Sequence, residues 1–485
     1  MAASPAGVDP ILQDRASRTS LLLTSLGIIA FLLLLMYVLR HVSVPVVTNG
    51  GISSDGCTLF ASPSGTDGNS GNSPSSAKSL SSVAALTRPG SVVCLLGGSY
   101  SLASSFKPTQ SGTASSWIVY KNYGDSPVNF VWNGPADASA MFYFGGGKFP
   151  SKPAYLEFRG FNLDGMGNAA DGFFCRSSHH LRFIGNSISN TGGSGIASID
   201  CDYLTADHNL IYHNGYMPSN TQVPADYGWT SGISFNSARW LDSYPGFHNI
   251  ISNNIIAGEY DGSSHHSDGN GIILDLSDGS YKYSSADTPP ALVINNVVYG
   301  NGGRCVVAYV VTNFWIVNNT CYKNALDPEL TNAGSLAANN SKSGFFINNI
   351  ALGWKNNQPP YEQGLPNSEI LYYSNMYSGS PNNFAQSEPS QLIEADPLFL
   401  NPPLFDPALP GQYATAPHPS SLGDGLTLRP TSPAIGKGLD PGRLPGLPEA
   451  IVRDLQKYIY TDIKGNRRTP GGPFDLGAYQ FRHTQ

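Results

Sequence analysis

The stretch VINNVVYGNGGRCVVAYVVTNFWIVNNTCYKN, residues 293–324, contains one phrase twice: β-branched residues, an asparagine, two apolar or small residues, then a turn. Asn296 and Asn319 mark the two copies and lie 23 residues apart. Read outward in both directions, the phrase recurs as EFRGFNLDG, RFIGNSISN, TADHNLIYHN, ISNNIIAGE, FINNIALG and YYSNMYSG. The aligned asparagines are Asn162, Asn186, Asn209, Asn254, Asn296, Asn319, Asn349 and Asn375, separated by 24, 23, 45, 42, 23, 30 and 26 residues. A period near 23 with two nearly doubled intervals is what stacked coils give when loops are inserted in two of them. The β-branched and aromatic residues around each asparagine, with Gly/Asn turns between them, favour strands over helices. Two or three short strands per coil predict an all-β chain, a right-handed parallel β-helix built as a single-stranded solenoid. Stacked asparagines at its turns can hydrogen-bond along a ladder and satisfy the backbone at each corner.

Composition narrows the function. The 485 residues carry 27 Lys+Arg against 34 Asp+Glu, a net charge of −7, so the basic stripe that neutralises phosphates in a nucleic-acid binder is missing. With 13% charged residues and 53 glycines the chain is no coiled coil, and 40% hydrophobic residues suffice for a large core. Nothing in the sequence points to a protein partner.

Leu21–Leu39 reads LLLTSLGIIAFLLLLMYVL without a charge, and as a helix spans roughly 28 Å, the thickness of a bilayer's hydrocarbon core. A cleaved signal peptide would have a shorter apolar run and a small-x-small site, which RHVSVPVV lacks, so an uncleaved signal anchor is the reading. Arg15 and Arg18 before the run favour a cytoplasmic N-terminus and an exported, single-pass membrane protein. The expected organisation is a cytoplasmic tail (1–20), a transmembrane helix (21–40), a linker (41–56), an N-terminal cap and first coil (57–110), β-helix coils (111–385), and a C-terminal strap and closing segment (386–485) that includes the Pro-rich 401–419. Cys57 and Cys94 form a candidate disulfide; Cys175, Cys201, Cys305 and Cys321 read as buried small hydrophobes. His179-His180 reads as polar filler in a turn, and Arg467 and Arg468 beside Asp462 and Asp475 as an ion-pair knot closing the last coil.

Three further stretches carry a resemblance. They are TLFASPSGTDGNSGNSPSSAKSL with SVVCLLGGSYS near the start; SGISF, SDGNGIILD and NNVVYGNGGR in the middle; and ADPLFLNP, LRPTSPAIGKG and DIKGNRRTPGGPFDLGAYQF at the end. With them the chain from 57 to 481 resembles the exported right-handed parallel β-helix repeat proteins of the pectate-lyase-like superfamily. The resemblance implies the fold and a polysaccharide partner. It leaves the chemistry open, since one solenoid hosts lyases, hydrolases, epimerases and non-catalytic modules.

Alternation within strands gives side-chain directions. Aligning GFFCR, GIASI, GISFN, GIILD and CVVAY turns the second and fourth residues inward and the fifth outward, so that Arg176, Ile199, Asn236, Asp275 and Tyr309 form one outward row with neighbours about 4.8 Å apart. The inserted loops 212–230, 236–249 and 258–271 flank this row, and long loops on a rigid scaffold usually carry function. They bring Trp229, Trp240, Tyr216, Tyr227 and Tyr244 for stacking on sugars, and Arg239, His248, His265, His266 and Asp261.

SDGNGIILDLSD is the densest acidic motif. The resemblance implies that Asp268, Asp275 and Asp278 could bind Ca²⁺, which neutralises a uronate carboxylate while a Lys or Arg removes the C5 proton. Ile273 stands where such a base lysine would be expected, leaving Arg176, Arg239, Lys282, Arg304 or a histidine to replace it. The expected catalytic group is therefore Asp275, Arg176, Asn236 and Arg239, with Tyr309, Trp229, Trp240 and His266 on the substrate. A lyase-like enzyme on uronate-containing glycan comes first, a non-catalytic glycan-binding or structural surface protein second. A hydrolase using Asp200, Asp202, Asp268 or Asp275 as acid and base comes third.

Overall fold

A strand whose alternate side chains are Phe173 and Cys175 buries both by stacking on a neighbour with the same alternation, and the pairing obeys this need. In the computed structural model, strand Phe173–Arg176 runs parallel to Ile196–Ile199, which pairs with Ser231–Asn236, and onward through Asn270–Asp275, Val306–Tyr309 and Leu336–Asn339 to Tyr361–Gly364. With Phe142–Gly145 at the other end these form an eight-stranded parallel sheet. Each of its strands is followed by two more that join a second, twenty-stranded array, as His179–Ile184 and Ser187–Ser189 follow Phe173–Arg176. Eight coils of three strands thus stack into a parallel β-helix. The structure describes residues 56–136, 139–216, 229–276, 287–330, 333–353, 359–364, 366–379, 392–404 and 418–482. The expected anchor, Tyr227, Asp278, Lys282 and most of the Pro-rich stretch lie outside these residues. Among the described residues no helix is long and apolar enough to cross a membrane.

The inward positions Phe173, Cys175, Ile196, Ile233, Ile272, Val306 and Ala308 are fully buried in one continuous core. The corner is held by amides. Asn186 donates its N–H and Nδ2 to Asn209 Oδ1, and the same double contact passes through Asn254, Asn296, Asn319 and Asn349 to Asn375, at 2.9–3.1 Å. Each Nδ2 from Asn186 to Asn375 also donates to a carbonyl, as Asn254 does to Ala206 O at 3.0 Å, so the buried amides are satisfied. Asn162 is a correction: it is exposed, and bonds Asn129 instead. Phe161 occupies its coil's ladder position and donates its N–H to Asn186 Oδ1, a shift of one residue. Five residues further along each coil runs a second ladder, Thr191, Asn214, Glu259, Asn301 and Asn324, which the sequence reading missed.

Three disulfides cross the body: Cys57–Cys94, Cys175–Cys201 and Cys305–Cys321. The last two correct the reading of those cysteines as unpaired core residues. Their Cα atoms lie 6.4 and 5.7 Å apart, within bridging reach, at separations of 26 and 16 residues that give no hint of pairing. His180 is no filler either. At a corner with φ 52° its ring is stacked between Tyr155 and Tyr203 at 4.4 and 4.3 Å, and burial, with His179 second, lowers its pKa to about 4. The ion-pair knot is a cage of carbonyls. Buried Arg468 donates to Thr461 O and Gly477 O and to Asn295 Oδ1, while Asp462 and Asp475 accept backbone N–H groups. Burial lowers the Arg468 pKa to about 10, against the pull of those two acids.

Candidate functional site

The register places Arg176, Ile199, Asn236, Asp275, Tyr309 and Asn339 opposite one another on successive strands, side chains facing away from the core. Over the last four of these strands lies a cavity of about 450 Å³. Asn236, Asp275, Tyr309 and Asn339 line it, with Ser234, Ile273 and Val307 from the neighbouring outward column, Ser267 and Asp268 from the 258–271 loop, and Trp229, Arg304 and Leu330. Asp275 is buried, and its Oδ2 accepts from Asn236 Nδ2 at 3.0 Å.

Asp268 reaches the cavity because another acid shapes its loop. Buried Asp261 accepts Ser263 Oγ on one carboxylate oxygen and the N–H groups of Ser267 and Asp268 on the other. Gly269 then turns the chain at φ +72°, where a Cβ would lie 2.8 Å from Asp261 N, so only glycine fits. Burial raises the Asp268 pKa to about 7; the charges of Asp275 and Asp261 add to the rise, and Arg304 and a hydrogen bond from Asn270 oppose it.

Arg304 is clamped. Its Nε and Nη2 donate to Glu362 Oε2 and Oε1 at 2.6 and 2.9 Å, and Nη1 to Ser267 O at 3.3 Å. Glu362 also accepts from Gly334 N and Asn339 Nδ2. Burial alone would lower the Arg304 pKa, but Glu362 outweighs it and the guanidinium is held in its charged form. Burial likewise pushes Glu362 up, and Arg304 with the two N–H donors brings it below the ordinary carboxylate value. The fork ties the Asp268 loop to the far wall; as a proton acceptor it is spent.

The sequence-predicted residues divide accordingly. Asp275, Asn236, Tyr309, Trp229 and Asp268 share the cavity. Arg176 lies two strands away from Asn236 and is outside the cavity lining. Arg239 is bound to Asp200 Oδ1 at 2.9 Å, and Trp240 donates Nε1 to Asp287 O; neither lines the cavity. His266 is drawn off by Asp327 Oδ2 at 3.0 Å, joining two loops. Tyr216 and Tyr244 are tied down by Gly258 O and Asp454 Oδ2. Trp229 stacks on His265 at 4.1 Å and stays 50% exposed. Among the described residues no group of three His, Cys, Asp or Glu is placed to hold a metal, and Asp278 lies outside them. The sequence reading missed Asn339 and Glu362. Asn339 stands ten residues before Asn349, as Tyr309 stands ten before Asn319, so the ladder spacing could have found it.

No family model and no curated protein matches the chain. Solved structures do. A pectate lyase, Pel9A, aligns over 87% of this chain and 96% of its own, at 15% identity and a TM-score of 0.43. An alginate lyase from Paenibacillus sp. str. FPU-7 aligns over 65% and 95%, at 16% and 0.36. A glycoside hydrolase aligns over 70% and 94%, at 9% and 0.48. At these identities and TM-scores the alignments carry no argument of their own; the parallel β-helix rests on the strand pairing of the chain itself.

Proposed function

We propose that this chain is a polysaccharide-cleaving enzyme whose cavity hydrolyses a glycosidic bond, with Asp268 as proton donor and Asp275 as the carboxylate working with it. The observation that carries the reading is the convergence of these two carboxyl groups in one cavity beside Trp229 and Tyr309, while the guanidinium there is committed to Glu362. Two carboxyl groups in different environments suit acid–base chemistry at a glycosidic bond. Asp268, its proton retained up to about pH 7, gives that proton to the leaving sugar oxygen as the C1–O bond breaks. Water adds to the anomeric carbon and loses a proton to Asp275. Trp229 and Tyr309 offer ring surface to the sugar. The apolar run at 21–39 and three disulfides support a body exported and anchored in a membrane.

Calcium-assisted elimination from a uronate is the second reading, favoured by the two acidic side chains facing one cavity. Calcium takes six to eight oxygens, so Asp268 and Asp275 would be a partial set. One experiment separates the two. The chain is incubated with a panel of acidic and neutral polysaccharides, and new reducing ends and absorbance from unsaturated ends are followed with and without a chelator. Reducing ends without unsaturation, unaffected by chelator, are expected. Unsaturated products that a chelator abolishes would establish elimination, and tight binding without turnover would establish a non-catalytic glycan-binding protein.

A further inference from the structure

Beyond the cavity, toward the N-terminal coils, the same sheet keeps its outward face. Its two outward columns continue as Ala197 and Ile199, then Phe174 and Arg176, then Tyr143 and Gly145. Ala197 is small and buried, so the floor drops after Ser234 and rises again at Phe174. Phe174 and Tyr143 are half-buried, with ring centroids 5.5 Å apart. Core phenylalanines of the same strands, Phe142 and Phe173, are fully buried, so the outward pair is a surface the interior does not use.

The charge there is unusual for this protein. Arg176 is exposed and, among the described residues, has no ion-pair partner. Lys107 places its ammonium 5.0 Å from the Tyr143 ring centroid. At the intervening coil the cation Arg239 is neutralised by Asp200. On a chain of net charge −7, two cations beside half-buried aromatic rings are a local reversal of sign. The Gly145–Gly147 turn keeps that end low, for a Cβ on Gly145 would overlap the Arg176 carbonyl.

We propose that Phe174, Tyr143 and Arg176 form a subsite for an anionic sugar unit of the chain whose linkage lies in the cavity; this rests on the glycan reading of that cavity. Successive strands are about 4.8 Å apart, close to the length of one sugar unit, so Phe174 sits about two units from Ser234. The rings take the apolar sugar face, and Arg176 takes its carboxylate or sulfate ester through the planar fork that suits both. Arg176 is then a binding residue remote from the reacting bond.

The test is titration calorimetry on the full chain carrying Asp275→Asn, which blocks turnover, with hexamers of galacturonate, of a sulfated galactan and of neutral galactan. An anionic hexamer is expected to bind more tightly than the neutral one, by an advantage that shrinks as salt is raised. Adding Arg176→Gln should weaken the anionic hexamer tenfold or more and leave the neutral one unchanged; Phe174→Ala should weaken both. Whichever anionic hexamer responds to Arg176→Gln identifies carboxylate or sulfate as the group bound. Equal binding of the anionic hexamers with and without Arg176, in variants of unchanged unfolding temperature, overturns the subsite and leaves the cavity reading standing. Absence of binding by all three hexamers, with unfolding temperature kept, overturns both.

Discussion

The solenoid has two outward faces built by the same alternation, and they meet opposite fates. On the larger sheet the row Ile250, Leu292, Trp315 and Phe345 is apolar, and Phe247 with the C-terminal residues Ile451, Leu455, Ile459 and Phe474 covers it. On the eight-stranded sheet the row Asn236, Asp275, Tyr309 and Asn339 is polar, and the loops beside it leave a cavity. Burial of an apolar row is favourable wherever chain is at hand to cover it; burial of a polar row that includes a carboxylate is costly without partners. The composition of an outward row thus separates scaffold from site.

The contrast is sharpest if each face is broken in turn. Asp268→Asn should lower turnover by about 10²–10⁴-fold with the unfolding temperature unchanged or raised, since the half-buried acid, its pKa raised by desolvation, opposes folding once it ionises. In the unaltered chain, turnover should fall as pH rises through about 7, where Asp268 loses its proton, and the variant's residual rate should lack that limb. A kinetic pH profile from 5 to 9, taken where the fold is intact, checks both. A variant with full activity would remove the polar row's claim to chemistry.

On the covered face, Trp315→Ala should do the reverse. The ring is 3% exposed and stacked on Phe345 at 4.0 Å, so its loss should cost about 3–5 kcal/mol in denaturant unfolding. Activity per folded molecule should be unchanged. A turnover defect in folded Trp315→Ala would mean that the covered face also serves the site.

Within the larger array, where each coil turns from one of its strands to the next, lies the asparagine corner. The Asn254 side chain makes four buried hydrogen bonds, to Ala206 O, Asn296 Oδ1 and the N–H and Nδ2 of Asn209. Asn254→Ala strands those partners and should cost about 2–3 kcal/mol, measured by chemical denaturation. A neutral result would show that neighbouring amides re-pair across the gap.

How much of this was legible in the sequence follows from what repeats. The ladder asparagines recur in seven of the eight coils and the inward Ile, Val and Phe from coil to coil, so spacing alone exposes the coil, its strands and the row from Arg176 to Tyr309. Asn162 misled because a phenylalanine next to it took the ladder place while the surrounding phrase stayed intact. Glu362 and the other partners, those of His266 and Trp240, were hidden for another reason. Their contacts join residues 58, 61 and 47 positions apart, through loops whose paths no periodicity dictates. The disulfides of Cys175 and Cys305 belong to the same class.

The second ladder supplies the smallest effect. There Glu259 replaces an asparagine: its Oε1 accepts from Asn214 Nδ2 at 3.2 Å, its N–H donates to Asn301 Oδ1 at 2.8 Å, and buried Oε2 has no partner among the described residues. Burial raises its pKa from 4.5 to about 8, against the pull of Asn214. A carboxyl whose pKa is higher folded than unfolded binds more protons folded, so its contribution to stability is greatest below about pH 4.5 and is lost as pH rises toward 8. Glu259→Gln restores an amide where the ladder elsewhere carries one and removes that loss. It should gain about 1–2 kcal/mol at pH 8 and almost nothing at pH 4. Unfolding temperature measured against pH for both chains reads the difference, and parallel curves would show that Glu259 is ionised in the folded protein, with an ion or water supplying what Oε2 lacks.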